Sequence, residues 1–281
     1  MTSYPLSYQY LMQYREQLQL EERSQGTIEK YLRDVEQFIV WLNGAVVDRS
    51  KVANWKTALL EQQLAPTTIN SKLAALNGFF RMLGWHDCRS SYVRVQRRMF
   101  RDAERELNRD EYEQLIHTAR MQGKRRLMLV METICASGIR VSELRYITVE
   151  AAQRGKAEIM LKGKVRVILL TKKLCKKLLN YAAKEKIACG EIFLTTSGNG
   201  LSRRQIWAEM KALAEQAGID AHKVFPHNLR HLFATIYYST YRDIVRLADV
   251  LGHSSIETTR IYLLTSGAEH LQQLERLKLV S

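Results

Sequence analysis

The chain has 281 residues, 46% of them hydrophobic and 26% charged, with only three prolines and 14 glycines. That length buries a substantial core and divides most naturally into two domains, and the composition excludes a disordered or fibrous protein. Forty-three Lys plus Arg against 29 Asp plus Glu leave a formal charge of +14, which favours a polyanionic partner. Nucleic acid leads because Lys and Arg neutralise its phosphates, although a ribosomal or membrane-surface protein can carry the same balance.

The first hundred residues read as four helices. Residues 8–20 and 27–42 have apolar side chains three and four apart, Ile28, Tyr31, Leu32, Val35, Phe38 and Ile39 among them, which is one helical face. Asn43-Gly44 ends the second helix. A shorter helix covers 51–62. The fourth starts at Pro66, which suits a first helical turn, and lines Ile69, Leu73, Leu76, Phe80 and Leu83 on one side. Residues 94–105 then bring five arginines with little apolar periodicity. Such a run is either a solvated linker or a strap laid along a phosphate backbone.

A second domain begins near Leu107. Asn108, with Glu111 three residues on, signals a helix start, and the apolar run at 126–136 predicts a buried helix that Ser137-Gly138 stops. A short helix follows from Arg140. Residues 157–161 and 165–170 are β-branched, apolar runs joined by Lys162-Gly163-Lys164, a hairpin pattern. Helices are expected at 172–183 and 202–217, with a short strand at 192–195 and an amphipathic helix in the tail.

The four cysteines, Cys88, Cys135, Cys175 and Cys189, form no C-x-x-C pair. Neither a zinc site nor a disulfide framework is indicated, and reduced thiols in a cytoplasmic protein are expected. The first residues, MTSYPLSYQYLMQYREQ, lack the basic-then-apolar pattern of a signal peptide.

The stretch from Pro226 to Tyr262 carries the chemistry. His227 and Arg230 lie three apart on one helix, so both side chains can point the same way. His253 stands in a Leu-Gly-His turn nine residues before Tyr262. Two histidines, an arginine and a tyrosine brought together can grip a phosphodiester and attack it.

Arg140 in ASGIRVSEL, Lys162 in the hairpin, His227-Asn-Leu-Arg230, Leu251-Gly-His253 and Tyr262 resemble, in order and spacing, the tyrosine recombinase (phage integrase) family. The resemblance spans essentially the whole chain, and PTTINSKLAALNGFFRML is similar to the core-binding domain of Xer-type, integron and transposon recombinases. It implies a mainly α fold with a small β-sheet in the catalytic domain. A helical, SAM-like core-binding domain would occupy 1–93, a basic linker 94–106, and a mixed α/β catalytic domain with a C-terminal helix 107–281.

The resemblance also implies roles. Tyr262 is the nucleophile that forms a 3′-phosphotyrosyl intermediate. Arg140 and Arg230 hold the non-bridging oxygens, with Glu143 orienting Arg140. His227 is a general base or phosphate hydrogen bonder, and His253 bonds the phosphate. Lys162 is the general acid, with Lys164 its competitor. Lone histidines are more often structural, and His86, His117, His222 and His270 are read so, while His231, beside the motif, is open to either reading and is left structural. No cofactor or metal is implied. The partners are a double-stranded DNA recombination site and further copies of the chain, in a tetramer coupled through residues 269–280. A catalytically idle DNA-binding factor and a type IB topoisomerase are the competing readings.

Overall fold

A computed structural model describes residues 2–95, 103–161, 164–263, 271 and 275–277. The chain divides into two compact units, Met1–Arg97 and Arg98–Ser281.

Unit 1 is helical: α1 (Gln9–Leu20), α2 (Gln25–Leu42), α3 (Arg49–Glu61) and α4 (Pro66–Met82). Each element starts and stops for a local reason. Asp48 caps α3 by accepting from the Lys51 amide, Pro66 opens α4, and α2 ends where Asn43 turns left-handed at φ 47°. The apolar faces of α2, α3 and α4 meet around Phe38, whose ring lies edge-on to Trp55 at 5.1 Å and to Phe80 at 6.0 Å. Such aromatic pairs contribute about 0.5–1.5 kcal/mol each beyond the area they bury. Phe38, Phe79 and Phe80 are fully buried.

Unit 2 opens with α5 (Arg109–Met121) and α6 (Arg125–Ser137). The expected cap at Asn108 is reciprocal: its side chain accepts from the Glu111 amide at 2.8 Å, and Glu111 accepts from the Asn108 amide at 2.9 Å. Leu127, Leu129, Val130, Met131 and Ile134 bury α6 on several sides. After a 3₁₀ turn (Val141–Tyr146) come α7 (Val149–Arg154), β1 (Lys156–Leu161), β2 (Lys164–Leu169), α8 (Lys172–Lys184), α9 (Arg203–Gln216), α10 (Pro226–Tyr241), α11 (Ile244–Leu251) and α12 (Ile256–Thr259). A 3₁₀ turn (Arg260–Leu263) follows α12.

Three details depart from the sequence expectations. The segment after Arg140 is 3₁₀ rather than α. Six-residue α7, capped by Thr148, is too short to show a periodicity. Residues 192–195 form no strand; they bury Ile192 and Phe193 and make only an isolated bridge, Leu194 to Gly200. Among the described residues β1 and β2 pair only with each other, so that segment has no sheet there to join.

The hairpin register is informative. β1 and β2 pair antiparallel with Ile159 opposite Arg166 and Met160 opposite Val165. Ala157, Ile159 and Ile168 therefore face the core, and so does Arg166, whereas Met160, Val165, Val167 and Leu169 are all more than half exposed. Among the described residues, no helix is long and apolar enough to cross a membrane.

Candidate active site

Arg230 is the centre of the site. Pro226 fixes the start of α10, which puts His227 in its first turn and Arg230 one turn further on. The Arg230 side chain is buried, at 3% exposure, and it donates to the carbonyls of Gly138 and Leu251, the latter at 2.8 Å. Both carbonyls lie at helix C-termini, of α6 and α11, where the unsatisfied carbonyls and the negative end of the helix dipole suit a cation. Burial and the neighbouring Arg140 lower the Arg230 pKa, with Tyr262 and Glu143 acting the other way. Gly138 has to be glycine: its φ is +64°, and a Cβ there would lie 2.5 Å from the Phe233 ring.

Arg140 stands just before the 3₁₀ turn at Val141–Tyr146. Its backbone amide donates to Glu143 Oε2 at 2.7 Å and its Nη1 to Oε1 at 2.9 Å. The carboxylate thus holds both ends of the residue and leaves the guanidinium half-exposed. Glu143 itself is 1% exposed and takes a second arginine, Arg166, whose Nη1 lies 3.4 and 3.3 Å from its two oxygens. Arg166 Nη2 donates to the Val250 carbonyl at 2.6 Å.

His253 follows α11 at the turn. Arginine can only donate, so the 2.9 Å contact from Arg230 Nη2 makes His253 Nε2 an acceptor. The proton therefore sits on Nδ1, which donates to Thr259 Oγ1 at 2.9 Å. Burial, followed by Arg230, Arg140 and Arg166, pushes the His253 pKa down to about 4, so the ring is neutral at pH 7. His227 keeps an edge open to solvent. Packing, then Arg230, Arg203 and Arg140, lower its pKa as well.

Tyr262 is 5% exposed and is carried on the 3₁₀ turn against Ala234, Leu247 and Leu251. Its ring lies near-parallel to His253 with centroids 6.2 Å apart, and edge-on to His231 at 4.9 Å. The structure therefore brings Arg140, Arg230, His253 and Tyr262 together, with His227 at the edge. Lys162 lies outside the described residues, as do the side chain of Lys164 and most of 269–280. Sequence reasoning weighed His231, whose only signal was its place beside Arg230, and left it structural; it passed over Arg166, which lay inside an apolar run.

Unit 1 carries a separate basic cleft of about 440 Å³, lined by Lys30, Arg33, Lys72, Thr67, Thr68 and Ser71 around the buried Asp34. Asp34 pairs with Lys30 at 2.6 Å and Lys72 at 3.5 Å, so one carboxylate holds two cations on adjacent turns of α2 and α4.

Two arginines, Arg140 and Arg230, thus meet a neutral imidazole, His253, and a buried tyrosine, Tyr262, within unit 2. The phage integrase family model matches residues 105–268, and the N-terminal SAM-like domain model of the phage integrases matches 11–87. A tyrosine recombinase XerD from Listeria innocua is 27% identical over 262 residues, covering 85% of this chain and 88% of its own. Two solved structures share the fold. One is XerH site-specific recombinase bound to difH substrate (TM-score 0.67, 21% identity, 91% of this chain and 79% of that one). The other is a lambda integrase tetramer bound to a Holliday junction (TM-score 0.72, 17% identity, 91% and 76%). The chain belongs to the phage integrase family, as a tyrosine recombinase, an enzyme of site-specific DNA recombination.

Proposed function

We propose that the chain cuts and rejoins duplex DNA with Tyr262 as nucleophile. The Tyr262 oxygen attacks the scissile phosphorus, its proton leaves to His227, and the bond to O5′ breaks to give a 3′-phosphotyrosyl linkage and a free 5′-hydroxyl. The covalent linkage conserves the phosphodiester energy, so rejoining needs no nucleotide cofactor. Arg140 and Arg230 take the non-bridging oxygens as planar forks that stabilise the transition state. His253 bonds the same phosphate, giving up its contact with Arg230, and Lys162 protonates the leaving oxygen. The observation that carries this reading is the convergence of Tyr262, Arg230 and His253: Arg230 donates to His253 at 2.9 Å and the two rings lie near-parallel.

The partner is a DNA recombination site. Two bound pairs of protomers assemble on it as a tetramer, as the lambda integrase named above does on a Holliday junction, with residues 269–280 docking on the neighbouring copy. A cytosolic location goes with that role.

The test uses a nicked duplex carrying a site recovered from random-sequence DNA by binding to the full chain. In EDTA, the parent is expected to form a covalent protein–DNA adduct and Tyr262→Phe none. Adduct from both proteins would exclude Tyr262 as the nucleophile.

A further inference from the structure

Arg166 is placed against the interest of stability. In the observed register Val165, Val167 and Leu169 face solvent while Arg166 points inward among Ala157, Ile159 and Ile168. A slip of one residue would bury those three apolar side chains and release the arginine, at the cost of turning Ile168 outward. Its destination is also costly, because Arg166 joins Arg140 and Arg230 around the single carboxylate of Glu143. Its Nε is buried with no hydrogen-bond partner among the described residues. Burial first, then the charges of Arg230 and Arg140, lower its pKa to about 10, with Glu143 opposing. Buried ion pairs of this kind are often replaceable by apolar residues without loss of stability, so stability alone does not account for the choice.

The contacts say what the residue does instead. One fork prong meets Glu143, the carboxylate that holds Arg140 at both its amide and its guanidinium. The other meets the Val250 carbonyl, three residues before His253. Between them the side-chain stem lies on Gly252: a Cβ there would sit 2.4 Å from Arg166 Cδ, and Gly252 has φ +63°. The Gly252 carbonyl in turn accepts from Arg140 Nη2 at 3.4 Å. One side chain thus ties together the two loops that present Arg140 and His253.

We propose that Arg166 is a positioning residue for strand cleavage, acting through Glu143 on Arg140 and through the Val250–Gly252 turn on His253. The assignment rests on the reading of Arg140 and His253 as phosphate-binding groups. It places the effect of Arg166 on the non-bridging oxygens of the phosphate and not on protonation of the leaving group. Lysine cannot replace it, because one ammonium cannot span Glu143 and Val250 as the planar fork does.

The test is single-turnover cleavage of the selected nicked duplex by the full chain, with protein in excess. Arg166→Met and Arg166→Lys are compared with the parent on two substrates, one with oxygen and one with sulphur at the 5′ bridging position. On the sulphur substrate Tyr262 displaces a thiolate that needs no proton. Arg166→Met is expected to lower the cleavage rate constant by about 10–100-fold, by analogy with the loss of an outer partner that orients a metal ligand. The dissociation constant for the duplex should stay unchanged, and the sulphur substrate should be slowed as much as the oxygen one.

Arg166→Lys, which keeps charge and stem, is expected to remain slow and guards against misfolding of the methionine variant. An unchanged rate constant with only a smaller reacting fraction would reduce Arg166 to a structural residue and overturn the proposal. So would full recovery on the sulphur substrate, or a parental rate constant for Arg166→Lys. Adduct persisting in Tyr262→Phe would instead sink the reading of the site on which the assignment rests.

Discussion

His253 bonds to an arginine that can only donate, so its tautomer is set by geometry, and burial, followed by the charges of Arg230, Arg140 and Arg166, holds its pKa at about 4. In the unfolded chain a histidine takes up its proton near pH 6.5, whereas the folded ring resists until about pH 4. Stability associated with His253 is therefore complete above about pH 6.5 and is lost as pH falls through the window between those values. Urea unfolding at pH 7 and pH 5 should show a lower midpoint at pH 5, and the drop should be smaller in His253→Gln. An equal drop in the variant would mean that other groups carry the acid sensitivity. His227 is displaced in the same direction, so some of the drop should survive.

The site is built where helices end, and the elements meet at two glycines. Gly138 closes α6 and Gly252 closes α11, each with positive φ, and each sits against a side chain that leaves no room for a Cβ. Gly138→Ala has to accept both the left-handed backbone and the Phe233 ring at 2.5 Å. A loss of about 2 kcal/mol or more is expected from urea unfolding, together with slower cleavage because the Gly138 carbonyl holds Arg230. A parental urea midpoint would show that Phe233 moves freely aside. The sequence announced the first of these glycines as a helix stop, since Ser-Gly after an apolar run has that meaning on its own. It held no sign that Phe233, almost a hundred residues away, makes the glycine obligatory, because that crowding exists only once α10 packs on α6. The strand expected at 192–195 failed for the converse reason: an apolar run becomes a strand only where another strand is free to pair with it.

The charge of +14 belongs to the whole molecule. If the two units share the DNA backbone, binding releases condensed counterions, and the logarithm of affinity falls linearly with the logarithm of salt. With roughly 6–10 phosphates neutralised, affinity for the selected duplex should drop about 10³–10⁵-fold between about 50 and 200 mM salt. A nearly flat response would place most of the basic residues away from DNA. Assembly is tested separately by deleting residues 269–281. The truncated chain should still bind its duplex and form the Tyr262 adduct, while strand exchange between two duplexes is lost. Unimpaired exchange would remove the tail from the assembly.

Several features are fixed by local chemistry and are legible in the amino-acid sequence by itself. The four helices of the first unit follow from apolar periodicity with Pro66 and Asn43-Gly44 as punctuation. The hairpin follows from two β-branched runs around Lys-Gly-Lys, and the family follows from the order of Arg140, His227, Arg230, His253 and Tyr262. What only the tertiary structure decided concerns groups whose meaning depends on distant neighbours. A one-residue choice of register turned Arg166 inward. Carbonyls at the ends of two helices made a buried Arg230 tolerable, and His231 gained its place against Tyr262 only when the last turn folded back on α10. Period and punctuation are written along the chain, whereas desolvation, like-charge crowding and the direction of a hydrogen bond arise between segments that the sequence keeps far apart.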